Sequence, residues 1–289
     1  MSLRRRSLVA FLYLGPSALL LASVFLLPVG DLAWLSIHDT HTAGGVKGFV
    51  GLAHYRELLS AEFLQVLRTT AVWVVVSTLL SVAVGLAGAL LLNREMPCRG
   101  GLRALALLPW AVPHAMVGVL WRWLAHPQFG LLNRTLLILG LVSEPIGFLS
   151  VKHAMATAIA MRVWKGAPFA ILAILAGLQS IPAERYEAAA VDGADAWDQF
   201  WAITLPGIRG VLVTTTLILA VWAVTTFDML WVLTEGGPLG ATEILPIAIY
   251  RLAFLAYDAG RGAAMALVGL VITCGLAGLY YHFAKERAS

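Results

Sequence analysis

Six stretches of this chain are apolar for about 20 residues or more, and no other feature limits its fold as severely. A helix rises about 1.5 Å per residue, so about 20 apolar residues cross a hydrocarbon layer about 30 Å thick. Inside that layer every backbone N–H and C=O must find a partner within the protein, which a helix provides for itself. The stretches run at Leu8–Leu35, Thr69–Leu92, Ala104–Leu124, Ala154–Gly177, Val211–Leu233 and Ala263–Phe283. Pro16 and Pro28 interrupt the first, Pro109 and Pro113 the third, and Pro168 the fourth. Membrane helices tolerate proline when neighbours satisfy the freed carbonyls, so kinks are expected there. The expectation is an all-α, polytopic membrane protein with six transmembrane helices, forming one transmembrane domain over residues 1–289.

Composition agrees. Hydrophobic residues make up 60% of the 289 positions and charged residues 12%, against about 25% charged in an average soluble domain. So little charge excludes a disordered chain, a nucleic-acid binder and an ordinary cytosolic enzyme. Two cysteines, Cys98 and Cys274, are too few for a disulfide scaffold or a four-cysteine zinc site. The arginine triplet Arg4–Arg6 precedes the first apolar run. That run is too long for a typical signal peptide and lacks a clear small-residue cleavage site, so it reads as an uncleaved anchor. With the N-terminus inside, ten basic residues fall on the inner side (Arg287 among them) and eight on the outer side. The excess favours cytoplasmic N- and C-termini. The chain is then a multi-pass protein of the cell inner membrane, surrounded by lipid.

This orientation leaves two inner loops, and the second, at about residues 178–209, is too long for a simple turn. Ser180 and Pro182 provide a helix start, and Glu184 sits where the helix dipole favours an acid. Gly193 suits a left-handed C-terminal cap. A second short helix follows, with Trp197, Phe200 and Trp201 at helical spacing, and Pro206 precedes the fifth span. The loop reads as two short helices joined at a glycine, with an apolar face that needs a partner.

The spacing within this loop is specific. Glu187-Ala188-Ala189 is followed after three residues by Gly193, after nine more by Ile203, and after one more by Leu205-Pro206. This resembles the EAA loop of binding-protein-dependent ABC importer permeases. Phe49–Tyr55, Leu108-Pro109-Trp110, Gly130–Asn133, Leu233–Pro238 with Thr242, and Ile249-Tyr250-Arg251 are similar to segments of the carbohydrate-uptake branch, which includes the maltose and glycerol-3-phosphate importer subunits. The resemblance implies a coupling role for Glu187, Ala188, Ala189, Asp192, Gly193, Ile203, Leu205 and Pro206. It also implies the partners: a second permease subunit, two ATP-binding subunits and an extracytoplasmic substrate-binding protein that delivers a sugar. The chain has no glycine-rich G-x-x-x-x-G-K-[ST] loop. ATP and magnesium would therefore be bound by the partner ATPase, with no cofactor in this chain and no covalent chemistry of its own.

Ionisable groups within a span usually face a cavity or a partner. Arg162 and Lys165 lie three apart in the fourth span, with Trp164 between them, and Asp228 lies in the fifth with Trp222 and Trp231 nearby. Sugars present apolar ring faces and many hydroxyls, which aromatic rings and polar side chains suit. Arg162, Trp164, Trp222, Asp228 and Trp231 are thus candidates to line or border a substrate path. An Arg162–Asp228 ion pair, a snorkelling Lys165 and packing tryptophans are the structural alternatives. The alternative substrate is glycerol-3-phosphate or a related phosphodiester, because the two cations suit an anion. His38 and His41 read as part of a solvated outer loop.

Overall fold

The computed structural model describes residues 3–42 and 44–285. Arg287 lies outside the described residues, as do the side chains of Arg4, Arg5, Arg6 and Lys285. Two compact units emerge, Met1–Phe63 with Ala248–Val271 and Leu64–Ile247 with Ile272–Ser289.

Among the described residues, five helices are long and apolar enough to cross a membrane: Tyr13–Ser36, Ala61–Asn93, Ala154–Gln179, Ala196–Thr225 and Ala259–Gly278. A bent pair, Arg99–Ala111 with His114–Leu124, brings the number to six when its two halves are counted as one span. All six expected stretches thus fall on helices, the third of them on this bent pair. We label the helices α1 (Leu3–Ser36), α2 (Ala53–Glu57), α3 (Ala61–Asn93), α4 (Arg99–Ala111), α5 (His114–Leu124), α6 (Leu131–Ile138), α7 (Ala154–Gln179), α8 (Ala183–Val191), α9 (Ala196–Gln199), α10 (Leu205–Thr225), α11 (Asp228–Thr234), α12 (Leu245–Tyr250) and α13 (Ala259–Lys285).

Pro16 and Pro28 lie inside α1 without ending it. The third span behaves differently. A kink was the expectation at Pro109 and Pro113, but α4 and α5 meet at 96°. Pro113 has no N–H for the Pro109 carbonyl, and it drives the residue before it out of the helical region. Val112 accordingly has ψ 130°. The fifth span also departs from the reading. It does not run unbroken to Leu233: α10 ends at Thr225, Thr226 is extended, and α11 starts at Asp228. Thr225 and Thr226 turn their hydroxyls onto the Val221 and Trp222 carbonyls at 3.1 and 2.7 Å, satisfying acceptors that the ending helix leaves open.

In the larger unit α7 is the most buried helix, and small residues let its neighbours approach, as in helix packing in lipid. A Cβ placed on Gly85 of α3 would overlap Ala170 Cβ of α7. One on Gly177 of α7 would come within 2.9 Å of Val211 Cγ2 on α10. The fully buried Trp73 ties α3 to α10 by donating from Nε1 to the Ala223 carbonyl at 3.0 Å. Gly118 lets α5 lie against α11, where an added Cβ would sit 2.6 Å from the Met229 carbonyl oxygen.

Gly85→Val should therefore force α3 and α7 apart. Overpacking costs about 1–3 kcal/mol, each kcal/mol being worth roughly 2–4 °C in Tm for a chain of this size. Thermal denaturation in detergent checks this against Gly275→Ala, where nothing lies within 4 Å and no fall in Tm is expected. Equal Tm values for the two variants would contradict the close packing.

The smaller unit holds one departure from the all-helical expectation. Strands β1 (His38–His41) and β2 (Gly45–Phe49) form an antiparallel hairpin with a register shift between Asp39 and Thr40. A solvated loop was expected there. Strands this short leave little periodicity to read, and distant residues hold them. The Thr42 N–H donates to the Tyr257 carbonyl at 2.9 Å, and the Thr42 hydroxyl to the Ala253 carbonyl at 2.7 Å. His38 itself stacks on Trp34 at 4.2 Å.

Candidate functional site

Two places gather the residues singled out in the sequence. The first is the loop around α8. Pro182 precedes the helix, Glu184 lies in its first turn, and the backbone turns out of it at Gly193, where φ is +86°. Two backbone bonds close this end, Gly193 N–H to the Ala190 carbonyl at 3.1 Å and Ala194 N–H to the Ala189 carbonyl at 2.9 Å. That pair is a Schellman cap, which requires a left-handed residue at the position Gly193 holds. A Cβ at Gly193 would meet nothing within 4 Å, so conformation and not space selects glycine.

Asp195 then starts α9. Its Oδ1 accepts from the Trp197 and Asp198 N–H groups at 2.9 and 2.8 Å, and Asp198 accepts from the Asp195 N–H in return. Two of the loop's acids are thus a capping box. The second short helix does not stand apart as expected. A π-helical turn, Phe200–Thr204, carries the chain straight from α9 into α10, and Pro206 sits within the first turn of α10. A wide turn just before a residue without an N–H keeps the chain helical there. Trp197, Phe200 and Trp201 form one aromatic cluster with ring centroids 5.3–6.2 Å apart.

No residue of α8 is buried. Tyr186 and Ala189, three apart, are half-buried, and the Tyr186 hydroxyl bonds Thr204 Oγ1 at 3.0 Å. Glu184, Glu187, Ala188 and Val191 share the outward face, and Val191 is 88% exposed. Among the described residues Glu187 makes no hydrogen bond or ion pair. Asp192 is exposed beside Gly193, Ile203 and Leu205 are half-buried at the base of α10, and Pro206 is exposed. A nine-residue helix is marginal on its own in water. This one is held by its C-terminal cap and one tyrosine, with its apolar outward positions uncovered.

The second place is a cavity of about 330 Å³ lined by α4, α5, α7 and the α10–α11 break. Of the five candidates, Arg162, Trp222 and Asp228 line it. Trp164 and Trp231 are not among its lining residues. Trp164 packs edge-on against Trp121 at 6.3 Å, and Trp231 stacks on Phe227, which does line the cavity, at 5.5 Å. Trp110 and His114 also line it and were missed. Their signal was the prolines, since Trp110 and His114 flank the break that Pro109 and Pro113 announce.

Lys165 does not snorkel. Its Nζ donates to the carbonyls of Pro109, Trp110 and Val112 at 3.3, 2.6 and 2.6 Å. Those carbonyls belong to the end of α4 and the break, where the helix leaves acceptors open and the dipole favours a cation. Arg162 is 4% exposed, and its Nη2 donates to the Leu219 carbonyl at 3.4 Å. Among the described residues no salt bridge joins it to Asp228. A shallower cavity of about 310 Å³ lies at Glu235, Gly237 and Pro238, where Thr242, fully buried, donates its hydroxyl to the Gly237 carbonyl at 2.8 Å.

Comparison with known proteins gives the family and the fold. The sequence profile of the family described as "Binding-protein-dependent transport system inner membrane component" matches residues 80–288. The chain is 35% identical over 285 residues to the trehalose/maltose transport system permease protein MalF of Thermococcus litoralis, covering 98% of this chain and 96% of that one. It is 30% identical over 282 residues to the sn-glycerol-3-phosphate transport system permease protein UgpA of Agrobacterium fabrum, covering 97% and 96%. Its fold matches a chain of a bacterial ABC transporter involved in the import of the acidic polysaccharide alginate. The TM-score is 0.77 at 22% identity, over 98% of this chain and 96% of that one.

Proposed function

The chain belongs to the binding-protein-dependent transport system inner membrane components, and from that premise we propose that it is the permease subunit through which an ATP-driven importer passes a sugar. Its place is the inner membrane, which it crosses several times. The resemblance drawn from the loop between Glu187 and Pro206 holds at the level of the family.

The observation that carries the mechanism is the α8 helix: closed by a Schellman cap at its C-terminal end, with no buried residue, and presenting Glu187, Ala188 and Val191 outward. Such a face fits a cleft on another protein. Alanines let a partner's backbone approach, and an exposed carboxylate can take a charge-assisted hydrogen bond. In this reading the face docks on a cytoplasmic ATPase that holds ATP and magnesium. Its closure pulls α8, and through Tyr186–Thr204 and the continuous α9–α10 helix moves the base of the fifth span. Ile203, Leu205 and Pro206 form that base, and Asp192 and Gly193 set the angle between the two arms. A second permease and two ATP-binding subunits complete the importer, both termini lie in the cytoplasm, and a binding protein outside delivers the sugar. Arg162, Trp222 and Asp228 then line the path, bordered by Trp164 and Trp231. A saccharide is favoured over glycerol-3-phosphate because the relative named for trehalose and maltose is the more similar, at 35% against 30% identity.

Reconstitution in proteoliposomes tests this reading. ATP hydrolysis should rise when the sugar-loaded binding protein is added, and labelled sugar should accumulate inside only with ATP. Sugar that equilibrates without ATP, or a non-saccharide cargo, would overturn it.

A further inference from the structure

The cavity beside Arg162 holds one cation whose needs the protein does not meet. Arg162 is 4% exposed, and one hydrogen bond, long at 3.4 Å, serves its five N–H donors among the described residues. Among the described residues its Nε is buried without a partner, and no carboxylate stands within ion-pair distance. A buried guanidinium left in this state is strongly unfavourable unless something neutralises it. Lys165 is different, since three carbonyls occupy its ammonium. The two cations of the fourth span therefore have separate tasks.

The surroundings define what Arg162 awaits. Helix α5 opens onto the same cavity at His114, and no side chain caps its N-terminus. Its free N–H groups and dipole add to the positive potential. Asp228 also lines the cavity and is exposed, an acceptor for hydroxyl groups. Trp110 and Trp222, 48% and 40% exposed, offer ring faces. A volume of about 330 Å³ is at the small end of small-molecule sites.

We propose that this cavity takes a small anionic saccharide, its carboxylate, sulfonate or phosphate group on Arg162 and its hydroxyls on Asp228. The inference rests on the sugar-importer reading and narrows it.

The test is ligand binding to the assembled importer in detergent, followed by tryptophan fluorescence, with glucose, glucuronate, glucose 6-phosphate and inorganic sulfate as probes. Wild type should bind glucuronate or glucose 6-phosphate about tenfold to a hundredfold more tightly than glucose, and the better of the two identifies the anion. Arg162→Met should bring that ratio to about one. Arg162→Lys should keep part of the preference. The proposal is overturned if wild type binds glucose as tightly as its acidic counterparts, or if the preference survives Arg162→Met. It is overturned equally if sulfate alone binds as well as the acidic sugars. If Arg162→Met and Arg162→Lys both lose the second permease from the complex, the guanidinium pairs with that subunit and the proposal falls. A complex that binds no saccharide of either charge, yet hydrolyses ATP in response to a non-saccharide, defeats the parent reading instead.

Discussion

Gly193→Val is expected to cut ATP-driven uptake at least about tenfold while leaving the membrane-embedded helices folded. The backbone there has φ +86° and closes a Schellman cap through the Ala190 and Ala189 carbonyls. A β-branched residue in the left-handed region costs about 1–2 kcal/mol or more, and 1.4 kcal/mol is a tenfold change in an equilibrium. The chain escapes that cost by abandoning the cap, which lets α8 swing away from α9. Nothing within 4 Å of the glycine would otherwise resist a side chain, so the loss reports conformation and not a clash. Asparagine tolerates the left-handed region, so Gly193→Asn should retain most of the uptake. Uptake and ATP hydrolysis, measured on complexes of verified composition, decide the matter. Equal activity for valine and asparagine would show that the sharp turn is dispensable.

Lys165→Met carries the second large effect. It removes the ammonium from the Pro109, Trp110 and Val112 carbonyls and leaves the α4–α5 break without a donor. The three bonds are part-buried, so losing them together costs about what one fully buried unpaired acceptor does, roughly 1–3 kcal/mol. A net loss of about 2 kcal/mol would lower Tm by roughly 4–8 °C, and transport should fall with it because Trp110 and His114 line the cavity from either side of the break. Lys165→Arg can still donate to carbonyls and should recover much of both. A methionine variant with wild-type Tm would mean that the break needs no such clamp.

The six spans were legible because an apolar run of about 20 residues has few other uses in a chain with so little charge. The α8 loop was legible because a proline start, an early acid and a glycine stop are local signals that read the same in any context. What failed was continuity. Pro109 and Pro113 announced a disturbance, but local sequence does not say whether a proline kinks a helix, as neither Pro16 nor Pro28 breaks α1, or turns the chain by 96°. At Thr225 and Thr226 there was no proline or glycine to see. That break is stabilised by hydroxyls folding back on their own helix, and it moved Asp228 from the outward part of an unbroken span to the first turn of α11. The same limit governed the cavity. Arg162 and Lys165 look alike three residues apart, and only the distant α4 carbonyls separate the clamp from the unpaired charge.

The most direct test of the account is a photo-reactive residue at Ala188 in the assembled importer. Ala188 lies on the exposed face of α8, clear of the Tyr186 anchor. The account predicts that illumination captures the ATP-binding subunit, and that Gly193→Val sharply reduces the capture. A complex that still hydrolyses ATP and transports, yet in which the Ala188 probe never captures that subunit, would contradict it.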